Sequence, residues 1–279
     1  MSAQGTVVIT GASTGIGRAT ALRLAAAGFD VLAGVRREAD GEALVRDAAT
    51  GTIVPVVVDV TDRAQIAALG ERLAGKPLAG LVNNAGISVN GPLEFVGLDE
   101  LRHQLEVNLV GQLAVTQALL EPLRAARGRI VNVSSIGGRF AAPFLGPYTA
   151  SKFALEGMSD SLRRELRPFG IHVAIIEPGS IATEIWDKGQ RDADTLEASM
   201  SPRARELYGD RLSRLRKLAD RTARHAIPPD RAAKAIEHAL TASRPRTRYL
   251  VGPDARAQLL LQRALPDRWL DRLLGVLVR

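Results

Sequence analysis

The stretch Ile130-Val131-Asn132-Val133-Ser134-Ser135 and the later run Pro147-Tyr148-Thr149-Ala150-Ser151-Lys152 decide how this chain is organised. The first opens with a short, largely β-branched run, which predicts a buried parallel strand with two serines at its carboxyl end. The second follows a loop that contains glycines, and its proline suits the first turn of a helix. An amphipathic pattern then continues to Leu166. We therefore predict a strand, a loop and a long helix in succession.

Tyr148 and Lys152 lie four positions apart and so share one face of the predicted helix. A phenol with its ordinary pKa of about 10 is a poor base at neutral pH, and a nearby ammonium favours the phenolate. The pair is suited to exchanging a proton with an alcohol or a carbonyl oxygen. The hydroxyl of Ser135, held beside the pair, would orient the same oxygen.

Three motifs follow one another along the chain: a glycine-rich turn, an Asn-Ala-Gly turn and the serine, tyrosine and lysine just described. They are Thr10-Gly11-Ala12-Ser13-Thr14-Gly15-Ile16-Gly17, Asn83-Asn84-Ala85-Gly86, and Ser135 with Tyr148 and Lys152. This ordered set resembles the short-chain dehydrogenase/reductases, of the small single-domain kind. Residues 148–166 look like the branch that includes steroid and retinol dehydrogenases, and this resemblance implies a lipophilic substrate.

The length of 279 residues suits one α/β domain, and the chain has no cysteine. The lack of cysteine excludes disulfides, thiolate metal sites and a cysteine nucleophile, and it agrees with a reducing compartment. His225 and His238 follow no metal-ligand pattern, so we predict no metal site. We expect a cytoplasmic protein, because the N-terminus reads as a strand rather than a leader and no run of 18 apolar residues occurs.

The net charge of +7 is concentrated in the last quarter of the chain. From Arg203 onward there are 18 basic and 8 acidic side chains, whereas the preceding part has 19 and 22. Nucleic-acid binding would require stacking aromatics among the basic residues, and this region has only Tyr208, Tyr249 and Trp269. We therefore expect no nucleic-acid partner and an ordinary solvated surface.

Strand and helix patterns alternate along the chain. Strands are predicted at residues 6–10, 30–35, 53–58, 78–82, 130–133, 171–176 and 248–251, and helices at 18–27, 62–73, 99–123, from 147 onward and at 230–241. This alternation predicts a doubly wound parallel sheet in three α/β/α layers, a Rossmann fold, with the ligand at the carboxyl ends of the strands.

The glycine-rich turn between the first strand and helix is suited to a dinucleotide. Gly11, Gly15 and Gly17 permit close backbone approach, and the helix N-terminus offers free N–H groups to a pyrophosphate. The second strand ends in Arg36 and Arg37 rather than in the carboxylate that usually binds the ribose of NAD. An Arg can accept the 2′-phosphate, so we predict NADP(H), with NAD(H) as the alternative if Arg36 is merely a solvated loop residue.

By resemblance, further residues face the cofactor or take part in catalysis. The cofactor-side set comprises Ser13, Thr14, Ile16, Asp59, Val60, Asn83, Ala85, Gly86, Tyr148, Lys152, Pro178, Gly179, Ile181 and Thr183. Asn108 lies inside a predicted helix, where asparagine is unfavourable unless its side chain is used. The resemblance gives it a water connected to Lys152, which would extend a proton relay from Tyr148 to solvent.

The part of the chain after residue 183 differs more from the family. Residues 184–229 are charged and less regular and correspond to the family's substrate lid, with Ile185 and Trp186 as candidate pocket walls beside Ser135 and Tyr148. Residues 254–279 form an amphipathic extension whose apolar stripe comprises Trp269, Leu270, Leu273, Leu274 and Leu277. This stripe would pack on its own chain or on a partner subunit, or else lie on an anionic membrane as a peripheral contact.

These observations together predict an enzyme that transfers hydride between NADP(H) and a secondary alcohol or ketone. Asn108, Ser135, Tyr148 and Lys152 are the predicted catalytic residues. The resemblance also implies a homodimer or homotetramer. The alternative is a non-catalytic dinucleotide sensor or scaffold, which would be expected to lose the tyrosine or the lysine, and this chain keeps both.

Overall fold

The computed structural model describes residues 4–183 and 200–278, and within them seven parallel strands form one sheet in the order β3-β2-β1-β4-β5-β6-β7. The strands are β1 (Thr6–Ile9), β2 (Asp30–Val35), β3 (Thr52–Val57), β4 (Leu78–Asn83), β5 (Arg129–Val133), β6 (His172–Pro178) and β7 (Arg248–Val251). The predicted strands are thus confirmed to within one or two residues. The strand order reverses between β1 and β4, so a crevice opens there at the carboxyl edge.

Helices cover both faces of the sheet. They are α1 (Gly15–Ala26), α2 (Glu38–Arg46), α3 (Arg63–Arg72), α4 (Leu98–Leu105), α5 (Gly111–Ala118), α6 (Leu120–Ala126), α7 (Gly146–Leu166), α8 (Pro202–Arg224), α9 (Asp230–Thr241), α10 (Pro253–Ala264) and α11 (Asp267–Val278). Helices α1, α2 and α9 share one apolar core with the sheet, and α3, α5, α6 and α7 share the other. The three-layer, single-domain Rossmann fold predicted from the sequence is confirmed.

Alternation along β1 shows how the sheet separates the two cores. Val7 and Ile9 point into the core beneath α1 and α9, whereas Val8 points into the core beneath α3 and α7. All three side chains are at most 1% exposed. This two-sided burial is typical of a central parallel strand and explains the continuous apolar run.

The helix predicted over residues 99–123 is wrong as a single element. The chain instead forms α4, a π-helical segment Glu106–Val110, and then α5 and α6. A Cβ on Gly111 would lie 2.4 Å from the carbonyl oxygen of Val60, so α5 approaches the β3–α3 loop more closely than any larger residue permits. Helix periodicity in the sequence does not reveal such a one-residue expansion.

Two further predictions need correction. Helix α1 begins at Gly15 rather than at residue 18, so the glycine-rich turn includes the first turn of the helix. The region predicted to be less regular contains the 23-residue helix α8, in which Ala204 is the one described residue that is buried. Because most residues of this helix are exposed or half-buried and many are charged, its sequence did not show a clear apolar pattern.

The C-terminal extension forms the two helices α10 and α11. Leu270 is buried against Ile136, Phe140 and Ala255, and Leu274 packs at the margin of the same cluster. Trp269 and Leu273 stay 60% and 42% exposed. The predicted stripe is therefore divided among its described members, with Leu270 and Leu274 on the domain and Trp269 and Leu273 in solvent, while the side chain of Leu277 lies outside the described residues. No helix in the described ranges is long and apolar enough to cross a membrane.

Candidate active site

The glycine turn between β1 and α1 is too tight for side chains. Gly11 has φ +64°, and a Cβ on it would lie 2.8 Å from the Cα of Ala85. A Cβ on Gly17 would lie 2.2 Å from the carbonyl oxygen of Gly11. Thr14 precedes the helix without a side-chain cap, and the first-turn amides have no partners within the helix. The turn is therefore a backbone cradle at a helix N-terminus, which fits an anionic pyrophosphate.

Asn84, which the sequence analysis did not single out, holds this cradle in place. Its Nδ2 donates to the carbonyl oxygens of Thr10 and Gly11, at 3.0 Å each, while the Thr10 hydroxyl accepts from the amides of Asn84 and Ala85. The only signal for this role in the sequence is the pair of adjacent asparagines. Successive side chains of a strand point to opposite faces, so one of the two must point toward the glycine turn when the other points away from it.

Asn83, which the sequence analysis placed on the cofactor side, points its side chain into the domain, away from the glycine turn. It is buried, and its Nδ2 donates to Thr116 Oγ1 at 3.0 Å and to Asn132 Oδ1 at 2.9 Å. Asn132 in turn donates to Ser159 at 2.8 Å. This buried polar chain ties β4 and β5 to helices α5 and α7.

The carboxyl ends of β2 and β3 carry the residues expected to select the cofactor. Arg36 is exposed and makes no hydrogen bond or ion pair within the described residues. Arg37 is already bound to both carboxylate oxygens of Asp40, at 2.9 and 2.8 Å, which leaves Arg36 as the available guanidinium of the two. Burial would raise the pKa of Asp59, but hydrogen bonds from Thr61 and the charge of Arg36 hold it below the ordinary value. Val60 is buried beneath.

Ser135 and Tyr148 meet at the carboxyl end of β5. A Cβ on Gly137 would lie 3.1 Å from Tyr148 Cε1 and 3.4 Å from Ser135 Oγ, so these two side chains flank a residue that must be small. Ser135 Oγ accepts from the Gly137 amide at 3.0 Å. Helix α7, with its proline in the first turn, presents Tyr148 toward this strand end.

Lys152 is buried one turn further along α7 than Tyr148, and its side chain also points at the carboxyl end of β5. Its Nζ donates to the carbonyl oxygen of Val133 at 2.9 Å and lies 5.8 Å from the centre of the Tyr148 ring. Burial lowers the pKa of Lys152 to about 8, against the opposing charge of Glu156. Burial raises the pKa of Tyr148, and a hydrogen bond with Ser135 partly offsets this. The site therefore brings together a phenol, a hydroxyl and an ammonium whose pKa is lowered by burial.

Asn108 lies in the π-helical segment, close to Lys152. Its Oδ1 accepts from the Ile87 amide at 2.9 Å, and its Nδ2 donates to the Ile87 carbonyl and to Ser151 Oγ, at 3.0 Å each. A Cβ on Gly86 would lie 3.3 Å from Asn108 Oδ1 and 3.8 Å from Lys152 Nζ. Gly86 thus leaves room for the asparagine and the lysine to approach each other.

The segment after β6 returns to the glycine turn. Pro178 is the last residue of β6, and the Gly179 amide donates to the carbonyl oxygen of Val251. Ile181 is buried, and a Cβ on Gly15 would lie 3.0 Å from Thr183 Cγ2. Ser13 and Ile16 are half-buried in the turn itself. Ile185 and Trp186, the predicted pocket walls, lie outside the described residues.

Three aromatic residues that the sequence analysis did not assign form a cluster near the start of α7. The rings of Phe95 and Phe144 each lie 5.9 Å from that of Tyr208, edge to face, and the Tyr208 hydroxyl donates to Glu94 at 2.8 Å. Phe144 has φ +66°, a left-handed conformation that costs about 1–2 kcal/mol outside glycine. We call Phe95, Phe144 and Tyr208 the aromatic cluster.

The aromatic cluster is joined to the helix that carries Tyr148. A Cβ on Gly146, the first residue of α7, would lie 2.5 Å from Leu93 Cδ2, and Leu93 begins the short helical turn that ends at Phe95. The part of the chain that the structure describes contains no group of three or more histidine, aspartate or glutamate side chains arranged to hold a metal ion.

Known proteins are similar to this chain over most of its length. The model of the short chain dehydrogenase family matches residues 5–194. Retinol dehydrogenase 16 from Mus musculus is 40% identical over 96% of this chain and 87% of its own length. A short chain dehydrogenase from Burkholderia cenocepacia, solved with NADP, has 28% identity and a TM-score of 0.73 over 98% of this chain and 97% of its own.

A second solved structure, a short chain dehydrogenase/reductase from Burkholderia phymatum in complex with NAD, has 25% identity and a TM-score of 0.79 over 98% of this chain and 95% of its own. The folds therefore agree along almost the whole length of both chains. With the glycine cradle, the Ser135–Tyr148–Lys152 set and the family match all on one chain, the protein belongs to the short-chain dehydrogenase/reductase family, near its retinol dehydrogenase-like branch, and is a dehydrogenase/reductase.

Proposed function

We propose that this protein transfers hydride between NADP(H) and a lipophilic secondary alcohol or ketone. The observation that carries the proposal is the meeting of Ser135, Tyr148 and Lys152 at the carboxyl end of β5, beside the glycine cradle. A bound nicotinamide supplies the hydride for reduction, or accepts it for oxidation. The remaining chemistry is the binding and protonation of one oxygen atom, and the residues of this chain perform it.

Ser135 and Tyr148 bind the substrate oxygen, and Tyr148 gives it a proton as the ketone becomes an alcohol. In the reverse direction the Tyr148 phenolate takes that proton away. Lys152 favours the phenolate through its positive charge, and it would also hold the nicotinamide ribose. Asn108, close to Lys152 across Gly86, holds a water through which the proton is replaced from solvent.

The residues at the carboxyl edge of the sheet would hold the dinucleotide. The amides of the glycine cradle and Thr183, which lies close to Gly15, would hold its phosphates, and Asp59 and Val60 would lie by the adenine. Ala85 and Gly86 would line the cofactor, as would the main-chain groups of the segment from Pro178 to Ile181. Arg36 would bind the 2′-phosphate, and this is the reason to prefer NADP(H) over NAD(H).

The aromatic cluster supports a lipophilic substrate. Phe95, Phe144 and Tyr208 come from three separate parts of the chain and meet near the start of α7. This helix begins at Gly146, two residues before Tyr148. We propose that they form one wall of the substrate cleft, with Ile185 and Trp186 contributing further walls. The name of the mouse relative, a retinol dehydrogenase, agrees with a substrate of this class.

Titration with NADPH and with NADH, followed by fluorescence, tests the cofactor assignment. Wild-type protein should bind NADPH more tightly, and Arg36→Asp should reverse the order. Arg46→Asp is the charge-matched control, because Arg46 is 70% exposed on α2 and its contact with Glu42 is long, at 3.9 Å. Preference for NADH in the wild type would overturn the 2′-phosphate site.

Turnover of lipophilic ketones with the preferred cofactor tests the catalytic assignment. Tyr148→Phe should lose about two to four orders of magnitude in kcat, the usual size of general acid–base catalysis, with cofactor affinity retained. Near wild-type turnover in that variant would refute the role of Tyr148. Tight cofactor binding without turnover of any alcohol or ketone would instead favour the dinucleotide sensor.

We also propose that the protein is cytoplasmic and rests on anionic membranes through its C-terminal helices. Leu260, Trp269 and Leu273 are exposed, and the Arg272 guanidinium lies 5.4 Å from the Trp269 ring. Apolar side chains flanked by arginines suit the boundary between headgroups and acyl chains. Flotation with vesicles containing phosphatidylserine should carry the wild type upward and leave Trp269→Glu/Leu273→Glu behind. Equal flotation of the two proteins would refute this contact.

A homodimer or homotetramer is the proposed assembly. Phe153 on α7 is 46% exposed, next to the buried Lys152, and a partner subunit would cover it. Sedimentation analysis of the wild type and Phe153→Glu is the direct test. A monomeric wild type at micromolar concentration would refute the proposal.

A further inference from the structure

Two carboxylates are buried behind the catalytic set, where the mechanism above does not use them. Glu156 lies one turn beyond Lys152 on α7, and its side chain is 7% exposed. Glu177 lies near the end of β6, and its side chain is 2% exposed. Burying a carboxylate is unfavourable unless cations and hydrogen bonds compensate, so such groups need partners and a reason to be retained.

Arg248 on β7 holds these carboxylates together. Its guanidinium donates to Glu156 Oε2 at 3.0 and 3.2 Å, and it lies 3.2 Å from Glu177 Oε1 and 3.1 Å from Asp160 Oδ1. Arg139 donates to Glu177 Oε1 at 3.1 Å. Strands β6 and β7 thus clamp the helix that carries Lys152.

The other oxygen of Glu156 is left without a fixed partner. Among the described residues, Glu156 Oε1 and Ser134 Oγ are both buried and have no hydrogen-bond partner of good geometry. A Cβ on Gly138 would lie 2.8 Å from Ser134 Oγ, 3.0 Å from Glu156 Cγ and 3.0 Å from the Lys152 carbonyl oxygen. Gly138 therefore seats the Glu156 side chain directly against the turn of Lys152.

The charge of Glu156 affects the pKa of Lys152, and the neighbours of Glu156 affect its own pKa. Burial lowers the pKa of Lys152, and the negative charge of Glu156 acts in the opposite direction. Burial raises the pKa of Glu156, as does the charge of Glu177, while Ser134 and Arg248 lower it. The charged groups around Glu156 are thus Lys152 and Asp160 on its own helix, Glu177 on β6, Arg248 on β7 and Arg139 on the loop after β5.

We propose that Glu156 is a positioning residue, whose buried carboxylate keeps the Lys152 ammonium charged beside Tyr148, and that Arg248 holds Glu156 in that place. The catalytic consequence rests on the proposed function, since it assumes that Lys152 assists Tyr148. The electrostatic effect on Lys152 does not depend on turnover and can be measured on the protein alone.

Lysine NMR provides the direct test, because the chain has only five lysines. Protein labelled with ¹³Cε-lysine is titrated from pH 6 to 11, and the Lys152 signal is assigned by its absence in Lys152→Arg. Wild-type Lys152 should titrate at a pKa of about 8. Glu156→Gln, which keeps the shape and removes the charge, should lower this midpoint by about one pH unit.

Two more variants make the test specific. Asp160→Asn removes a carboxylate from the same cluster, two turns rather than one from Lys152, and should lower the midpoint much less. Glu156→Asp keeps the charge, should restore most of the wild-type midpoint, and provides the measurement if the glutamine variant does not fold. An unchanged Lys152 midpoint in Glu156→Gln, or equal falls in Glu156→Gln and Asp160→Asn, would overturn the inference.

The rate profile then separates this inference from the proposed function. In Glu156→Gln the alkaline limb of kcat/KM for ketone reduction should move to lower pH together with the Lys152 midpoint. A shifted midpoint with an unmoved alkaline limb would overturn the catalytic part of the inference. Absence of turnover in the wild type, with the midpoint shifted as expected, would overturn the proposed function and leave the electrostatic role of Glu156 standing.

Discussion

The change Gly17→Ala tests whether the tightness of the glycine cradle is functional. The added methyl would lie 2.2 Å from the Gly11 carbonyl oxygen and 2.5 Å from Asn84 Nδ2, well inside ordinary contact distances of about 3.5 Å. The cradle must therefore open by about 1 Å. Overpacking of this kind costs about 1–3 kcal/mol, and a lost Asn84 hydrogen bond adds about 1 kcal/mol. The greater helix propensity of alanine returns about 1 kcal/mol.

The net expectation is a decrease of about 1–3 kcal/mol in the free energy of unfolding, together with at least tenfold weaker NADPH binding, roughly 1.4 kcal/mol. Urea unfolding followed by circular dichroism measures the first, and fluorescence titration measures the second. The matched control is Gly157→Ala on α7, where an added methyl meets no described atom within 4 Å. That variant should be neutral or stabilised by up to about 1 kcal/mol. Wild-type stability and NADPH affinity in Gly17→Ala would refute the reasoning.

Three other variants probe the rest of the architecture. Folding lowers the pKa of Asp160 from 3.8 to about 2, so Asp160→Asn should cost up to roughly 2 kcal/mol at pH 7, with a difference from wild type that disappears as the pH falls from about 4 to 2. A difference that grew on acidification in urea titrations would contradict this sign. Leu270→Ala should cost about 2–4 kcal/mol in thermal unfolding, whereas Trp269→Ala should stay within about 0.5 kcal/mol, because only Leu270 is buried. Equal effects would show that the division of the C-terminal stripe is wrong. Asn84→Ala should weaken NADPH binding more than it lowers stability, and Asn83→Ala the reverse, as comparison of the two unfolding and binding curves would show.

The inner strands of this sheet were predictable because they are buried on both faces. A short, continuous apolar run rich in β-branched residues and bounded by turn residues is typical of such a strand, and β1, β2 and β5 agree with the sequence to within a residue. The helices that cover the sheet were predictable where one face is apolar, as in α7 and α9. The mostly solvated α8 was missed because its charged residues hid the periodicity.

Residue types and their spacing predicted only part of the site. Tyr148 and Lys152 share a helix face by spacing alone, and their place at the end of β5 follows from the order of strand and helix. The two asparagines of Asn83-Asn84 have the same chemistry, and their roles depend on which way each points at the end of β4. Phe95, Phe144 and Tyr208 lie far apart in sequence, so no local sequence pattern predicted that their rings would be in contact.

The sequence by itself determined the fold class, the family and the identity of the serine, tyrosine and lysine, because these depend on local periodicity and on short ordered motifs. Tertiary structure alone decided that Asn84 holds the glycine turn, that Leu270 is buried while Trp269 is exposed, and that Arg248 on strand β7 reaches Glu156 on helix α7. Those facts depend on contacts between segments separated by many residues. Such contacts are set by the packing of the whole domain, which no local pattern encodes.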